Sequence, residues 1–213
     1  MTRWLFAALA AWILALTSVA PARAQGDLPP EPDRLIEALT NRILERIKSE
    51  PELRSGDLRR LSQFADETVM PYVNFERMTA LAVGRGWRTA TPEQQQQLMT
   101  EFRAMLLRTY AGALSSVRDQ TIRVKPLRAA PGDTEVIVRS EIVGTRGDPI
   151  QIDYRMERSN PHWRIYDLNV LGVWLVETYR NQFAQEVNAR GIDGLIKALA
   201  ERNRQFAAQS GKS

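Results

Sequence analysis

The 213-residue chain has no cysteine and a single histidine, His162. Without thiols it forms no disulfide, offers no thiolate nucleophile and carries no thioether-linked lipid anchor. One imidazole and no thiol also rule out the Cys/His clusters that hold zinc. The signatures of nucleophilic or metal-assisted hydrolysis, G-x-S-x-G and H-E-x-x-H, are missing, as is a G-K-S/T phosphate loop. Gly84-Arg85-Gly86 is glycine-rich but follows no strand, so it reads as a helix stop and turn with Trp87 packing inward. A large charge imbalance is missing too. The formal net charge is +4, from 29 basic and 25 acidic residues. Setting aside Arg3 and Arg23, which flank an apolar N-terminal run, brings the two close to balance, which speaks against nucleic acid as a partner. The cluster Arg118, Arg123, Lys125 and Arg128 reads as a solvated face or as a contact for an anionic surface.

The N-terminal run itself, Trp4 to Leu16, spans about 20 Å as a helix, short of the ~30 Å hydrocarbon core of a bilayer. A basic start (Met1 to Arg3) precedes it and a small-x-small site (Ala22-Arg23-Ala24) follows it. Residues 1–24 therefore read as a cleaved secretory signal, with Gln25 as the first mature residue. Residues 25–32 hold Pro29, Pro30 and Pro32 and read as a linker. The folded domain is expected over 33–205, with a frayed tail over 206–213.

Asp33 is expected to cap a first helix carrying Leu35, Ile36, Leu39, Ile43, Leu44 and Ile47 on one face. Pro51 and Gly56 break the chain. A second helix is expected from Asp57 to Val69, ending before Pro71. Asn74 caps a short helix with Phe75, Met78, Leu81 and Ala82. Thr91 and Gln94 form a capping box around Pro92. The helix they open is expected to run to about Val117. Its stripe, including Leu98, Met99, Phe102, Met105, Leu106 and Tyr110, is wide enough that the helix is buried on more than one side or lines something apolar.

From Gln120 the period falls from 3.6 to 2. Ile122–Val124, Thr134–Val143, Ile150–Glu157 and Trp163–Val170, separated by short turns, predict a four-stranded antiparallel meander. One face would carry Ile150, Ile152, Tyr154 and Met156, and the other, with Asp153 and Glu157, would face water. An apolar knot, Val170 to Val176, bends at Gly172 into a helix bearing Val176, Tyr179, Phe183 and Val187. Gly191 ends that helix, and a last one follows with Ile192, Leu195, Ile196 and Leu199, fraying after about Arg204. The fold class is α+β, with helices covering one face of the sheet.

Neither Asp66-Glu67 nor Asp153 with Glu157 reads as a tuned acid–base pair, and His162 sits in a turn, so no catalytic residue is assigned. What remains is a surplus of large, flexible apolar side chains. These either fill an ordinary core or wall an apolar cavity, and spacing alone leaves both open.

The sequence resembles the MlaC, or toluene-tolerance, family of periplasmic phospholipid carriers over about Pro32 to Asn203. The resemblance is carried by Val69-Met-Pro-Tyr-Val-Asn-Phe-Glu-Arg-Met78 and by Leu81-Ala-Val-Gly-Arg-Gly-Trp-Arg88 leading into Thr91-Pro-Glu-Gln94. Tyr110-Ala111, Ile152-Asp-Tyr-Arg155 and His162 through Phe183 complete it. Trp174 departs from the small serine of many relatives. The resemblance implies acyl chains held in an apolar pocket enclosed by sheet and helices. It implies no cofactor and a phospholipid as cargo. It also implies a periplasmic shuttle between an outer-membrane MlaA–porin complex and MlaD of the inner-membrane MlaFEDB transporter, which maintains outer-membrane lipid asymmetry. The alternatives are an enzyme acting on an apolar envelope metabolite and an envelope scaffold that binds no lipid. For a carrier, the expected wall residues are Met70, Phe75, Met78, Trp87, Leu106, Tyr110, Tyr154, Val170, Val173 and Tyr179.

Overall fold

A computed structural model describes residues 28–114, 117–130, 132–145, 147–159 and 162–210. The signal segment 1–24 and the last residues of the tail, 211–213, lie outside the described residues. The chain runs α1 (Pro32–Ser49), α2 (Pro51–Ser55), α3 (Leu58–Phe64), α4 (Phe75–Val83), α5 (Pro92–Leu114), β1 (Thr121–Val124), β2 (Glu135–Val143), β3 (Ile150–Ser159), β4 (His162–Val170), β5 (Val173–Trp174) and α6 (Leu175–Ser210).

Local chemistry fixes several boundaries. The Thr91–Gln94 capping box forms in both directions: the Thr91 N–H donates to Gln94 Oε1 at 2.9 Å and the Gln94 N–H to Thr91 Oγ1 at 3.2 Å. Asn74 accepts from the Arg77 N–H, and Asp57 from the Arg60 N–H, each at 2.9 Å. Asp33 does not cap α1; it lies in the first turn behind Glu31, and Pro32 opens the helix. Before that, Leu28 is buried against the sheet, so the proline-rich segment is anchored at its middle.

The single helix expected over Asp57–Val69 is divided. After α3 the backbone becomes π-helical over Ala65–Val69 and then 3-10 over Met70–Tyr72. Pro71 has no N–H to continue an α-helical ladder, which accounts for the tightened end. The chain after Pro51, expected as a break, forms the short helix α2, closed by Gly56 at φ 80°. Gly191 bends α6 with φ 68° and ψ −170°, a conformation essentially restricted to glycine, where the sequence placed a stop. Beyond Arg204 the helix continues to Ser210.

The sheet is an antiparallel meander of five strands, β1-β2-β3-β4-β5, against the four expected. The fifth is two residues long, Val173–Trp174, paired with Val170 and Asn169. It returns through the Leu171–Gly172 turn, with φ 52° and 88°. A bulge at Arg155/Met156 leaves Tyr166 as the extra residue of β4. On one face Val136, Val138, Tyr154, Met156, Trp163 and Ile165 pack against Leu35, Ile36 and Leu39 of α1. A second core joins α4, α5 and α6 through Met78, Leu98, Phe102, Met105, Tyr179 and Phe183. Phe102 is its centre, with ring centroids 5.0 Å from Tyr179, 5.2 Å from Phe183 and 5.7 Å from Phe75.

The opposite face of the sheet is not simply wet, as its alternating charges predict. Asp153, Asp167 and Asn169 are buried there. Asp167 Oδ1 accepts from the N–H groups of Leu168 (2.9 Å) and Val176 (3.0 Å), so a strand residue caps α6. Its Oδ2 meets Arg155 Nη1 at 2.9 Å, and the Arg155 guanidinium lies 3.8 Å from the Trp174 ring centroid. Burial pushes the Asp167 carboxyl up from its ordinary value, against the three donors that favour the anion. Nearby, Arg77 from α4 stacks over Tyr166 and pairs with Glu135 and Glu157. Those contacts hold the Glu135 carboxyl below the usual range, the Arg77 hydrogen bond foremost.

Candidate functional site

α5 has two working faces, because side chains three and four residues apart share a side of a helix. Leu98, Phe102 and Met105 enter the helical core. Gln96, Met99, Thr100, Arg103, Ala104, Leu107 and Arg108 follow the same spacing along another side, and there they line a cleft of about 540 Å³. The opposite wall is Leu58, Arg59 and Ser62 of α3, with Met70 from the 3-10 turn and Phe75 from the start of α4. Phe75 thus divides the cleft from the helical core, where its ring meets Phe102.

The apolar part of the lining is Leu58, Met70, Phe75, Met99, Ala104 and Leu107, and the polar part is Arg59, Ser62, Gln96, Thr100, Arg103 and Arg108. Arg103 Nη2 reaches Asp66 Oδ1 at 2.8 Å and the Ser62 carbonyl at 3.1 Å, which ties α5 to α3 across one end. No histidine and no carboxylate lines the cleft. Among the described residues no group of three or more acidic or histidine side chains is placed to hold a metal ion.

The expected wall residues do not converge on this cleft. Met70 and Phe75 line it. Met78 and Tyr179 are buried in the helical core, and Trp87 and Leu106 pack against that core. Tyr154 belongs to the core between the sheet and α1. Val170 is half-buried at the end of β4, while Val173 is 54% and Tyr110 41% exposed. Burial, and then the neighbouring Tyr110 hydroxyl, push the Tyr179 phenol up to about 12, so it stays neutral. The carboxylates Asp153 and Glu157 lie on the far face of the sheet. Asp153 accepts from Gln151 Nε2 at 3.1 Å, and Glu157 is occupied by Asn74 and Arg77.

Sequence reasoning passed over Leu58, Ala104 and Leu107, and over the arginines of the lining. The signal was present in α5: a second run of three- and four-residue steps, from Gln96 to Arg108, mixing apolar residues with arginine. Apolar stripes draw the eye to the core-facing side, and the arginines read as ordinary helix surface.

Among the described residues no helix is long and apolar enough to cross a membrane. The model of the MlaC family, described as MlaC protein, matches residues 37–201. Two curated relatives are similar over most of their length. The intermembrane phospholipid transport system binding protein MlaC of Haemophilus influenzae is 22% identical over 170 residues, covering 78% of this chain and 79% of that protein. The toluene tolerance protein ttg2D of Pseudomonas putida is 24% identical over 163 residues, covering 76% and 75%. Among solved structures, the phospholipid-binding protein from Ralstonia solanacearum, in complex with a phospholipid, is 47% identical. It superposes with a TM-score of 0.78 over 81% of this chain and 96% of its own. With the family's span laid over α1 to α6 and all five strands, this chain belongs to the MlaC family.

Proposed function

We propose that this protein is a periplasmic phospholipid carrier, and that the cleft between α3 and α5 receives acyl chain. The observation that carries the reading is an apolar cleft of about 540 Å³, in a fold shared at 47% identity with a protein solved around a phospholipid. Met70 and Phe75 are assigned to the chain-contacting wall with Leu58, Met99, Ala104 and Leu107. Met78 and Tyr179 support that wall from the helical core.

The energetics explain why such a carrier is needed. Two acyl chains hold on the order of 30 methylenes at ~0.8 kcal/mol each, so unaided departure from a bilayer costs about 25 kcal/mol. A methylene is close to a water in size, about 30 Å³. The cleft of about 540 Å³ therefore matches roughly one chain. A diacyl lipid needs further room, which parting α3 and the π-helical segment from α5 supplies. π-helical turns are common at functional sites for this kind of reason. No covalent step is required, and the reading assigns no catalytic residue or cofactor, only phospholipid as cargo. By its family we assign the carrier to the Mla system, passing between the MlaA–porin complex of the outer membrane and MlaD of MlaFEDB. We read residues 1–24 as the leader for its export.

Native mass spectrometry of protein purified without detergent tests the proposal. A bound diacyl glycerophospholipid is expected; protein that never carries lipid, even after incubation with vesicles, overturns it.

A further inference from the structure

Arg59, Arg103 and Arg108 line the cleft and no carboxylate does; Asp66 holds Arg103 from outside the lining. The Nε atoms of Arg103 and Arg108 are both buried and have no acceptor among the described residues. Buried polar groups are nearly always hydrogen-bonded, because a donor removed from water without a partner is costly. Two such donors in one cleft mark a place where an acceptor belongs. Arg108 offers the clearer case: its Nη1 reaches only the Ala104 carbonyl of its own helix, at 3.3 Å. Arg103 shares Nη2 with Asp66 and Ser62, which leaves Nε uncommitted. A guanidinium presents Nε and Nη as a planar fork that matches two oxygens of one phosphate.

We propose that Arg103 and Arg108, with Arg59 at the rim, bind the phosphate of an anionic glycerophospholipid headgroup, so that the protein selects its cargo by charge as well as by chain. This rests on the carrier reading above. The same cleft holds the arginines and six apolar residues, which favours a phosphate bearing a hydrocarbon chain over free phosphate. A headgroup with net negative charge meets Arg59, Arg108 and an Arg103 already shared with Asp66, a net positive site; in a zwitterionic headgroup an ammonium offsets that attraction.

The test offers delipidated protein equimolar vesicles of dioleoyl phosphatidylglycerol and dioleoyl phosphatidylcholine and counts bound lipid by native mass spectrometry. Wild type is expected to favour phosphatidylglycerol. Arg103→Gln and Arg108→Gln are each expected to cut the ratio of the two lipids about tenfold, the worth of one charge-assisted contact. Arg164→Gln, on the exposed side of β4, should leave the ratio unchanged. Arg103 also ties α3 to α5, so Arg108→Gln decides if Arg103→Gln unfolds. A wild type without preference, or a ratio unmoved by Arg108→Gln, overturns the inference while bound lipid keeps the carrier reading intact. Calorimetric titration with inorganic phosphate separates the other source: phosphate binding lost in Arg108→Gln with the lipid ratio unmoved assigns the site to free phosphate and overturns it. Wild type that takes up neither lipid overturns both readings.

Discussion

Replacing Ala104 by tryptophan fills the cleft from the α5 side. The indole adds about nine heavy atoms, each bonded ring atom filling roughly half the ~30 Å³ of a water, so it occupies roughly a quarter of the 540 Å³. That excludes about five methylenes of a bound chain, an upper limit of ~4 kcal/mol in lost burial. Even a third of that lowers affinity about tenfold. The variant should nonetheless fold. Ala104 is only half-buried and faces open space, and the helix-propensity cost is about 0.5 kcal/mol. Two measurements read the outcome. Native mass spectrometry should find the bound lipid largely gone. Thermal unfolding should show a melting point close to that of delipidated wild type, without the rise that bound lipid gives the loaded protein by mass action. Folded Ala104→Trp protein that carries diacyl lipid at the wild-type level would place the chains elsewhere and refute the assignment of this cleft.

Other expectations bear on the frame around the cleft. Asp167→Ala leaves the Val176 and Leu168 N–H groups and Arg155 without their acceptor. Urea unfolding should show a loss of about 3 kcal/mol, with Asp167→Asn losing less because one acceptor oxygen remains. Gly191→Ala forces a side chain into a glycine-only conformation and should cost about 1–3 kcal/mol by the same assay, even though the added methyl group meets no neighbour. Hydrogen bonding from Arg46, and then Arg60, holds the Glu50 carboxyl below its ordinary value near 4.5. Its stabilising contribution is complete above that value and is lost as pH falls through the depressed one. The melting point of Glu50→Gln should therefore fall less steeply with acid than that of wild type; identical slopes would remove Glu50 from the acid transition.

Several features that depend on chain neighbours were legible: the Thr91–Gln94 box, the Asn74 cap, the helix start at Asp57 and the interruption at Gly191. The Asp33 cap and the break after Pro51 were not, because Pro32 and Pro51 each open a helix. The meander was legible because strand alternation breaks at clear turns. The fifth strand was not, since two residues inside an unbroken apolar run show no alternation. The π-helical step at Ala65–Val69 was hidden as well. Leu61, Phe64 and Thr68 keep ordinary helical spacing, and the widened turn shows only in the backbone. Asp153 read as solvent-facing by strand parity, and Asp167 is buried on the same face; Trp174 stacked on Arg155 and Arg77 laid over Tyr166 enclose that face from other parts of the sequence. The cleft followed the same rule. Periodicity announced that α5 is covered on two sides, but which side faces open space depends on where α3 lies.

Asp167 fixes the first turn of α6 to the sheet, and further down Asn203 Nδ2 holds α6 to the Glu101 carbonyl at 2.9 Å. Arg180 Nε adds a bond to the Leu81 carbonyl at 3.0 Å, so sheet, α4, α5 and α6 are clamped as one block. The segment from α3 through Tyr72 meets that block through Arg103, which holds Asp66 and the Ser62 carbonyl. On the carrier reading, entering cargo would part this tie and leave the block as it stands.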